Sequence, residues 1–537
     1  VSGPDQLAGP GAAPLTVFRG GPILTMGPSG TAESLVVRGD RVEAVGERAL
    51  GDAAAAAGAS VVELDGRTVV PGFIDAHCHL SVTALEAEWL DCTTIADDAA
   101  LAGGLRHLAD ARPQVDWVRA CRWDESTGIR PTRSLLDDAV GDRPAIVVHH
   151  TFHQAVVNSA ALDRLGIGRN TVDNTGVTPG GMDIEDIERT GSGEPTGLLL
   201  ERAFGQAHAE SVRAFSDPER FEELLIARGL ALHRHGITAV HDAAVDATSE
   251  VRYRALAARG DLPVSVLMMP AATPFLSNDL GDRLDGPVTG EGDEWLRVGP
   301  VKCFADGGVA PAIDVHHHGH HVAFGRRFDD LADAVLAATE RDFRVAVHAM
   351  GNAGVASALD AFTAAARRHP GGDHRFRLEH AGMASSALAR RAAGIGAVGV
   401  VQPGFVEHVG RSTAGFEPDD ATWLPFATLA EAGVTIAGSS DDPCGPIDPI
   451  RCAWLGAQRR TSDGIPVTPA EAVPVDDWLR AYTAGAAHAG GQEHERGSLR
   501  PGLRADLVIL SPTNTGPAPF RIAATWVGGR RVYPLSV

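Results

Sequence analysis

Apolar, strand-length runs that stop on an imidazole or a carboxylate recur through the middle of this chain, and they constrain its fold more than any other feature. FIDAHCH (73–79), FRVAVH (343–348), RFRLEH (375–380) and GVTIAGSSD (433–441) all have this form. An ionisable group buried at the end of an apolar strand is costly unless something pairs with it. The ends of these runs are therefore expected to meet, although they are spread from His77 to Asp441.

Eight such strand-like runs can be read, at 69–79, 236–243, 263–270, 299–307, 343–351, 375–381, 395–403 and 433–441. Ala-rich helical stretches separate the later ones, at Asp329–Glu340, Val355–Arg368 and Ala384–Ala393. Repeated βα units of this kind predict a (β/α)8 barrel. WVRAC and AIVVHH also look like strands, and they are placed in a long insertion after the first barrel strand, residues 81–230. Residues 14–70 and the segment after 495 read as short strands, with RGDR and LDGR offering the positive φ of tight hairpins. The two chain ends are expected to build one β-sandwich. The predicted organisation is thus 1–70 and 495–537 for the sandwich and 71–494 for the barrel. Length by itself, 537 residues at roughly 150 per domain, would suggest three or four units.

His77 and His79 stand at i and i+2, so on a strand both imidazoles share one face. His348, His380 and Asp441 close later strands. Lys302 sits inside the apolar run GPVKCFADG. Its amine either snorkels to a rim or pairs with Asp306, or it is carboxylated and bridges two metal ions. Imidazole and carboxylate donors suit zinc or another borderline divalent cation. This reading uses four of the 22 histidines. Cys78 and Cys303 point to the opposite strand faces and are expected to be packed thiols.

Composition removes several classes. A net charge of −22 argues against a nucleic-acid partner. Six scattered cysteines without a CxxC pair argue against a disulfide framework. No apolar stretch is long enough to span a bilayer, and the first eighteen residues lack the basic and apolar regions of a secretory leader, so a cytoplasmic protein is expected.

The motifs PGFIDAHCHL (71–80), WDES (123–126), HQAVVNSAAL (153–162), EPTGLLLERA (194–203), VKCFADGG (301–308), VHAMGN (347–352), LEHA (378–381), SSDDP (439–443) and GSLRPGLRADLVIL (497–510) occur in this order. Together they resemble the amidohydrolase superfamily and, within it, the YtcJ-like branch that includes deformylases of N-substituted formamides. The resemblance implies a sandwich beside a metal-dependent barrel, with ligands at His77, His79, Lys302, His348, His380 and Asp441. Its S-D-x-P pattern matches Ser440, Asp441 and Pro443, leaving Asp442 at the variable position. Trp123, Asp124, His153 and His241 are the expected substrate contacts, and Asn158 reads equally as a helix N-cap. HHHGHH (316–321) departs from the pattern.

The expected reaction is attack of a metal-activated hydroxide on an amide-like carbonyl, with two divalent ions, carboxylated Lys302 and Asp441 as proton shuttle. The partners are a small amide-like substrate and, in a homodimer, a second copy of the chain. Two alternatives remain: a mononuclear hydrolase or deaminase with unmodified Lys302, and a non-catalytic scaffold that kept the barrel.

Overall fold

The computed structural model describes residues 13–169, 171, 184–215, 217–271, 283–413, 415–513 and 518–533. All eight predicted runs contain strands, and these form two parallel sheets. One has the order Leu296–Val298, Ser265–Pro270, Ile237–Val245, Phe73–Cys78; the other runs Val301–Phe304, Val345–Ala349, Arg377–His380, Val398–Val401, Thr435–Gly438. The fourth run starts earlier than expected and is split. Leu296–Val298 pairs with Ser265–Pro270, and Val301–Phe304 pairs with Val345–Ala349. Gly299 and Pro300 stand at the break, and proline has no N–H to give to a ladder. One chain segment therefore serves both sheets.

The other two edges also approach each other. The Asp441 N–H donates to the His77 carbonyl at 2.8 Å, and the His79 N–H donates to the Asp442 carbonyl at 3.0 Å. The helices Leu331–Thr339, Asn352–Arg368 and Ser386–Gly394 follow their strands. Strand alternation then sorts the side chains. Val345, Val347 and Val301 pack with Val355, Leu359 and Phe362 in the main core, as do Cys78 and Cys303. Lys302 and His348 occupy alternate positions, away from that helical layer.

The strands of the two chain ends share one eight-stranded sheet, joined where Leu507–Pro512 runs antiparallel to Thr68–Pro71. RGDR turns a hairpin between Thr31–Arg38 and Arg41–Gly46. LDGR does not: Asp65 and Gly66 have positive φ, but Ser60–Glu63 and Thr68–Pro71 both run parallel to Leu15–Leu24. Phe18 and Trp526 lie three strands apart in this order, yet their ring centroids are 5.0 Å apart. A flat sheet with strands about 4.8 Å apart could not bring them together.

The insertion has its own mixed sheet, ordered Ile187–Arg189, Pro195–Leu200, Gln154–Val157, Ala145–His149, Val118–Trp123, Leu90–Asp91. Its helix Glu201–Arg213 carries side chains towards the site described below. Asn158 caps the helix Ser159–Arg164, its side chain accepting from the Ala161 N–H at 3.0 Å. Among the described residues no helix is long and apolar enough to cross a membrane.

Gly351, just after the strand bearing His348, marks a close approach. A Cβ there would lie 2.0 Å from the Ala312 carbonyl oxygen. Gly351→Ala is expected to cost about 1–3 kcal/mol, the usual penalty for overpacking. The measurement is the shift in urea midpoint, and an unchanged midpoint would show that the 308–312 loop yields freely.

Candidate metal centre

The strand ends deliver their ionisable groups to one place. One donor atom from each of His77, His79 and Asp441 lies within 4.8 Å of the others. Nε2 of His79 is 3.1 Å from Asp441 Oδ1, and Nε2 of His77 is 3.5 Å from the same oxygen. The Lys302 amine lies 3.3 Å from His77 Nε2. The ring of His380 is 5.0 Å from that of His77 and 4.6 Å from that of His348. His77, Lys302, His348, His380 and Asp441 are all buried, and His79 is nearly so.

Three of the four imidazoles are turned by a hydrogen bond on one ring nitrogen. His77 Nδ1 contacts the Glu379 carboxylate, His79 Nδ1 the Ala243 carbonyl at 3.0 Å, and His380 Nδ1 the Gln402 amide oxygen at 3.0 Å. A carbonyl or carboxylate partner requires an N–H on that nitrogen, which leaves the other nitrogen as a lone-pair donor. Metal-binding histidines are characteristically oriented in this way. His348 Nε2 is buried without a hydrogen-bond partner among the described residues. This orphaned donor and the converging lone pairs fit a divalent cation.

Burial lowers three of the four imidazoles, whereas at His79 burial is outweighed by Asp441 and the imidazole is raised. Burial lowers His77 to about 4, with the Lys302 charge adding to the effect, and lowers His380 to about 3. It also holds His348 well below the usual imidazole range. Lys302 is lowered by burial to about 8. For Asp441 burial works the other way, but the His79 hydrogen bond and the neighbouring imidazoles prevail and keep the carboxyl below its usual range. Neutral imidazoles and an ionised carboxylate are the forms that bind metal.

His380, Ala381 and Asp441 all adopt positive φ, at 72°, 46° and 57°. Such backbone costs about 1–3 kcal/mol per residue and is characteristic of functional sites. Here it turns the strand-end side chains inward.

Beneath the cluster lies a buried ion pair that sequence reading missed. Arg377 Nε donates to Glu379 Oε1 at 2.7 Å, and its Nη2 donates to Oε2 at 3.0 Å. Burial would raise Glu379, but Arg377 and His77 hold it well below the carboxylate range. The only sequence signal was R-x-E at i, i+2 in an apolar run. Glu379→Gln is expected to weaken metal retention about 10- to 100-fold through loss of His77 orientation. Competition with a chelator measures this, and unchanged affinity would remove Glu379 from the site.

An open cavity lies above these residues. Phe152, Phe204, Val82 and Val212 give it an apolar wall, while His153, His208 and Cys444 add polar groups. His153 Nδ1 lies 2.8 Å from the Glu201 carboxylate, which also accepts from the Val309 N–H at 2.8 Å. Glu201 was not foreseen; it is the first residue of its helix and has a positive φ of 38°.

Trp123, Asp124 and His241 do not line this cavity. Trp123 is buried in the insertion core, where its Nε1–H donates to the Ile129 carbonyl at 3.3 Å. Asp124 accepts from the Ser126 N–H at 2.7 Å in a short cap. His241 lies under the metal cluster with Nδ1 3.0 Å from Arg377. Asp442 faces away from the cluster and is paired with Arg228. HHHGHH forms the exposed hairpin Ile313–His317 and His320–Phe324, held by His316–Asp420 at 3.0 Å and His321–Asp314 at 2.8 Å.

This parallel α/β fold, with an imidazole–carboxylate cluster at its strand ends, defines the class: a metal-dependent hydrolase. Residues 60–533 match the amidohydrolase family, and the chain belongs to it. It is 36% identical over 498 residues to N-substituted formamide deformylase of Arthrobacter pascens, covering 89% of this chain and 90% of that protein. It is 28% identical over 506 residues to YtcJ of Bacillus subtilis, covering 88% and 90% respectively. An uncharacterized metal-dependent hydrolase from Pyrococcus furiosus shares the fold with a TM-score of 0.69 at 24% identity, covering 94% of this chain and 99% of the other. A second, from Pyrococcus horikoshii, has a TM-score of 0.72 at 22% identity, with 93% and 98% covered.

Proposed function

We propose that the protein hydrolyses a non-peptide C–N bond in an N-formyl or N-acyl amine, using two metal ions in a closed (β/α)8 barrel. The observation that carries this reading is the pair His77 and His79, turned by Glu379 and Ala243 so that their Nε2 atoms converge with Asp441. The shared fourth strand and the bonds between the His77 and Asp441 segments support closure. The Phe18–Trp526 contact supports a terminal sheet folded into a sandwich. Of the described residues, we assign those within 1–70 and 495–537 to that sandwich and those within 71–494 to the barrel with its insertion.

His77 and His79 would hold one cation and His348 and His380 the other, with carboxylated Lys302 between them; zinc suits the donors, and such ions supply Lewis acidity and a water of lowered pKa. Carboxylation requires the Lys302 nitrogen to attack the carbon of CO2 and lose a proton, and burial favours the uncharged amine this needs. Asp441 accepts a proton on its carboxylate from the attacking water and returns it to the departing nitrogen. Phe152 and Phe204 receive the apolar part of the substrate and exclude water from it. His153, held by Glu201, contacts the substrate near His348, whose ring is 5.0 Å away. The free thiols of all six cysteines are in keeping with the cytoplasm.

A screen of N-formyl amines, N-acyl amines and cyclic amides, with the protein metal-loaded or chelated, tests this reading. Metal-dependent release of the free amine is expected; hydrolysis confined to cyclic amides, or unaffected by chelation, would overturn it. Among the described residues only His77, His79 and Asp441 converge in one tight group, which favours a second reading, a single ion with unmodified Lys302. Metal stoichiometry and the intact mass separate the two.

A further inference from the structure

On the cavity wall away from the metal ligands, the helix Glu201–Arg213 presents His208, which is 5% exposed. The ring lies beyond Phe152, which stacks near His79 with centroids 5.9 Å apart and meets His208 at 4.7 Å. Behind it stands Arg119, 4% exposed, on the strand Val118–Trp123. Arg119 Nη2 is 3.1 Å from His208 Nδ1, its Nη1 donates to the Ser211 hydroxyl, and the guanidinium lies 3.9 Å from the Trp89 ring centroid.

Two consequences follow from this contact. A guanidinium has only donors, so Nδ1 of His208 must be the acceptor and the proton of the neutral ring sits on Nε2. Burial and, after it, the Arg119 charge oppose protonation of the ring. Nε2–H then points away from Arg119, and among the described residues it has no hydrogen-bond partner. Arg119 itself has no carboxylate within ion-pair distance among the described residues, and its Nε is buried without a partner. Glu86, which acts on it from farther off, is taken by Arg122 at 2.6 Å. A buried cation without a counter-charge is costly unless a ligand completes it.

We propose that His208, positioned by Arg119, recognises a hydrogen-bond acceptor on the part of the substrate remote from the scissile bond, and that a carboxylate is the preferred acceptor. The inference rests on the amide-hydrolase reading for the reaction, but the recognition group is defined by its own geometry. The neutral imidazole supplies the donor, and the guanidinium behind it supplies the uncompensated positive charge. Arg119 is thus a positioning residue, and the wall formed by Phe152 and Phe204 fits an aromatic or alkyl spacer between the two ends of the substrate.

The test compares N-(2-phenylethyl)formamide with its para-carboxylate, 4-(2-formamidoethyl)benzoate, on the metal-loaded protein and on the Arg119→Met and His208→Phe variants. The unaltered protein should prefer the carboxylate in kcat/KM by about tenfold or more, mainly through KM, as for a hydrogen bond to a charged group. Each substitution should erase that preference, and Arg119→Lys, which keeps a charge and a donor, should restore part of it. Calorimetric binding of 4-ethylbenzoate to the same holoproteins gives a readout free of turnover. Binding that weakens about tenfold in both variants supports the recognition group even if neither formamide is hydrolysed, an outcome that would sink only the amide reading. No preference in the unaltered protein, or a preference that survives both substitutions, overturns the proposal. The unaltered protein decides the matter alone if the variants fail to fold.

Discussion

Asp441→Asn is expected to reduce turnover by about 10²- to 10⁴-fold while the protein still binds metal. Asparagine matches the carboxylate in size and keeps one side-chain oxygen as a lone-pair donor, so the local packing survives. What it cannot do is take a proton. Asp441 is the carboxylate kept ionised in the cluster by His79 and the neighbouring imidazoles, and it lies within 3.5 Å of two of the proposed ligands. It is therefore the group placed to move a proton between the attacking water and the leaving nitrogen. Steady-state kinetics alongside elemental analysis of the variant checks both halves of the statement. Turnover near the parent value would sink the shuttle, and loss of all metal would make Asp441 chiefly a ligand.

The sequence made the parallel strands legible because each is an apolar run bounded by turns, and the side chain that ends it conflicts with its burial. That conflict located His77, His348, His380 and Asp441. It did not locate Glu379 or Arg377, because their charges cancel each other inside one strand and acquire a role only when His77 arrives from a distant segment. The break at Gly299 and Pro300 was visible in letters, but its effect, one segment shared by two sheets, depends on which neighbours flank it. In the insertion, motif position suggested a substrate contact at Trp123, whereas the indole is spent on the Ile129 carbonyl within a local core. His208 and Arg119 carried no signal at all. They stand on a helix and a strand of the insertion, far apart in sequence, and only the packing of one against the other fixes the tautomer. LDGR shows the same limit in miniature: Asp65 and Gly66 supply the turn backbone, and the partner strand, not the turn, decides that no hairpin forms.

Lys302→Met separates function from stability and carries the other large expected effect. Lys302 is 2% exposed in an apolar strand, and burial, only partly offset by Glu379 and Asp441, pulls its amine down to about 8. Without metal and without carboxylation it is a buried polar group beside a histidine, 3.3 Å from His77 Nε2. Neither carboxylate of the cluster depends on it, since Asp441 keeps its bond to His79 and Glu379 keeps its two bonds to Arg377. Methionine has nearly the volume of lysine and no charge to desolvate. Replacing even a buried ion pair by well-packed apolar groups is often neutral or stabilising by about 1–4 kcal/mol, and Lys302 makes no ion pair among the described residues whose loss would strand a partner. The metal-free variant is therefore expected to unfold at a urea concentration equal to or above that of the metal-free parent. Activity should move the opposite way, falling about a thousandfold, since metal polarisation contributes several kcal/mol to barrier lowering. The metal content should drop from two ions to one, and the mass of the added CO2 should vanish from the intact protein. A destabilised metal-free variant would mean that the amine holds the cluster together, and a fully active one would mean that Lys302 bridges nothing. A parent that holds one ion and an unmodified lysine, yet loses activity in the variant, would move the mechanism to a single ion at His77, His79 and Asp441, with the amine itself facing the substrate.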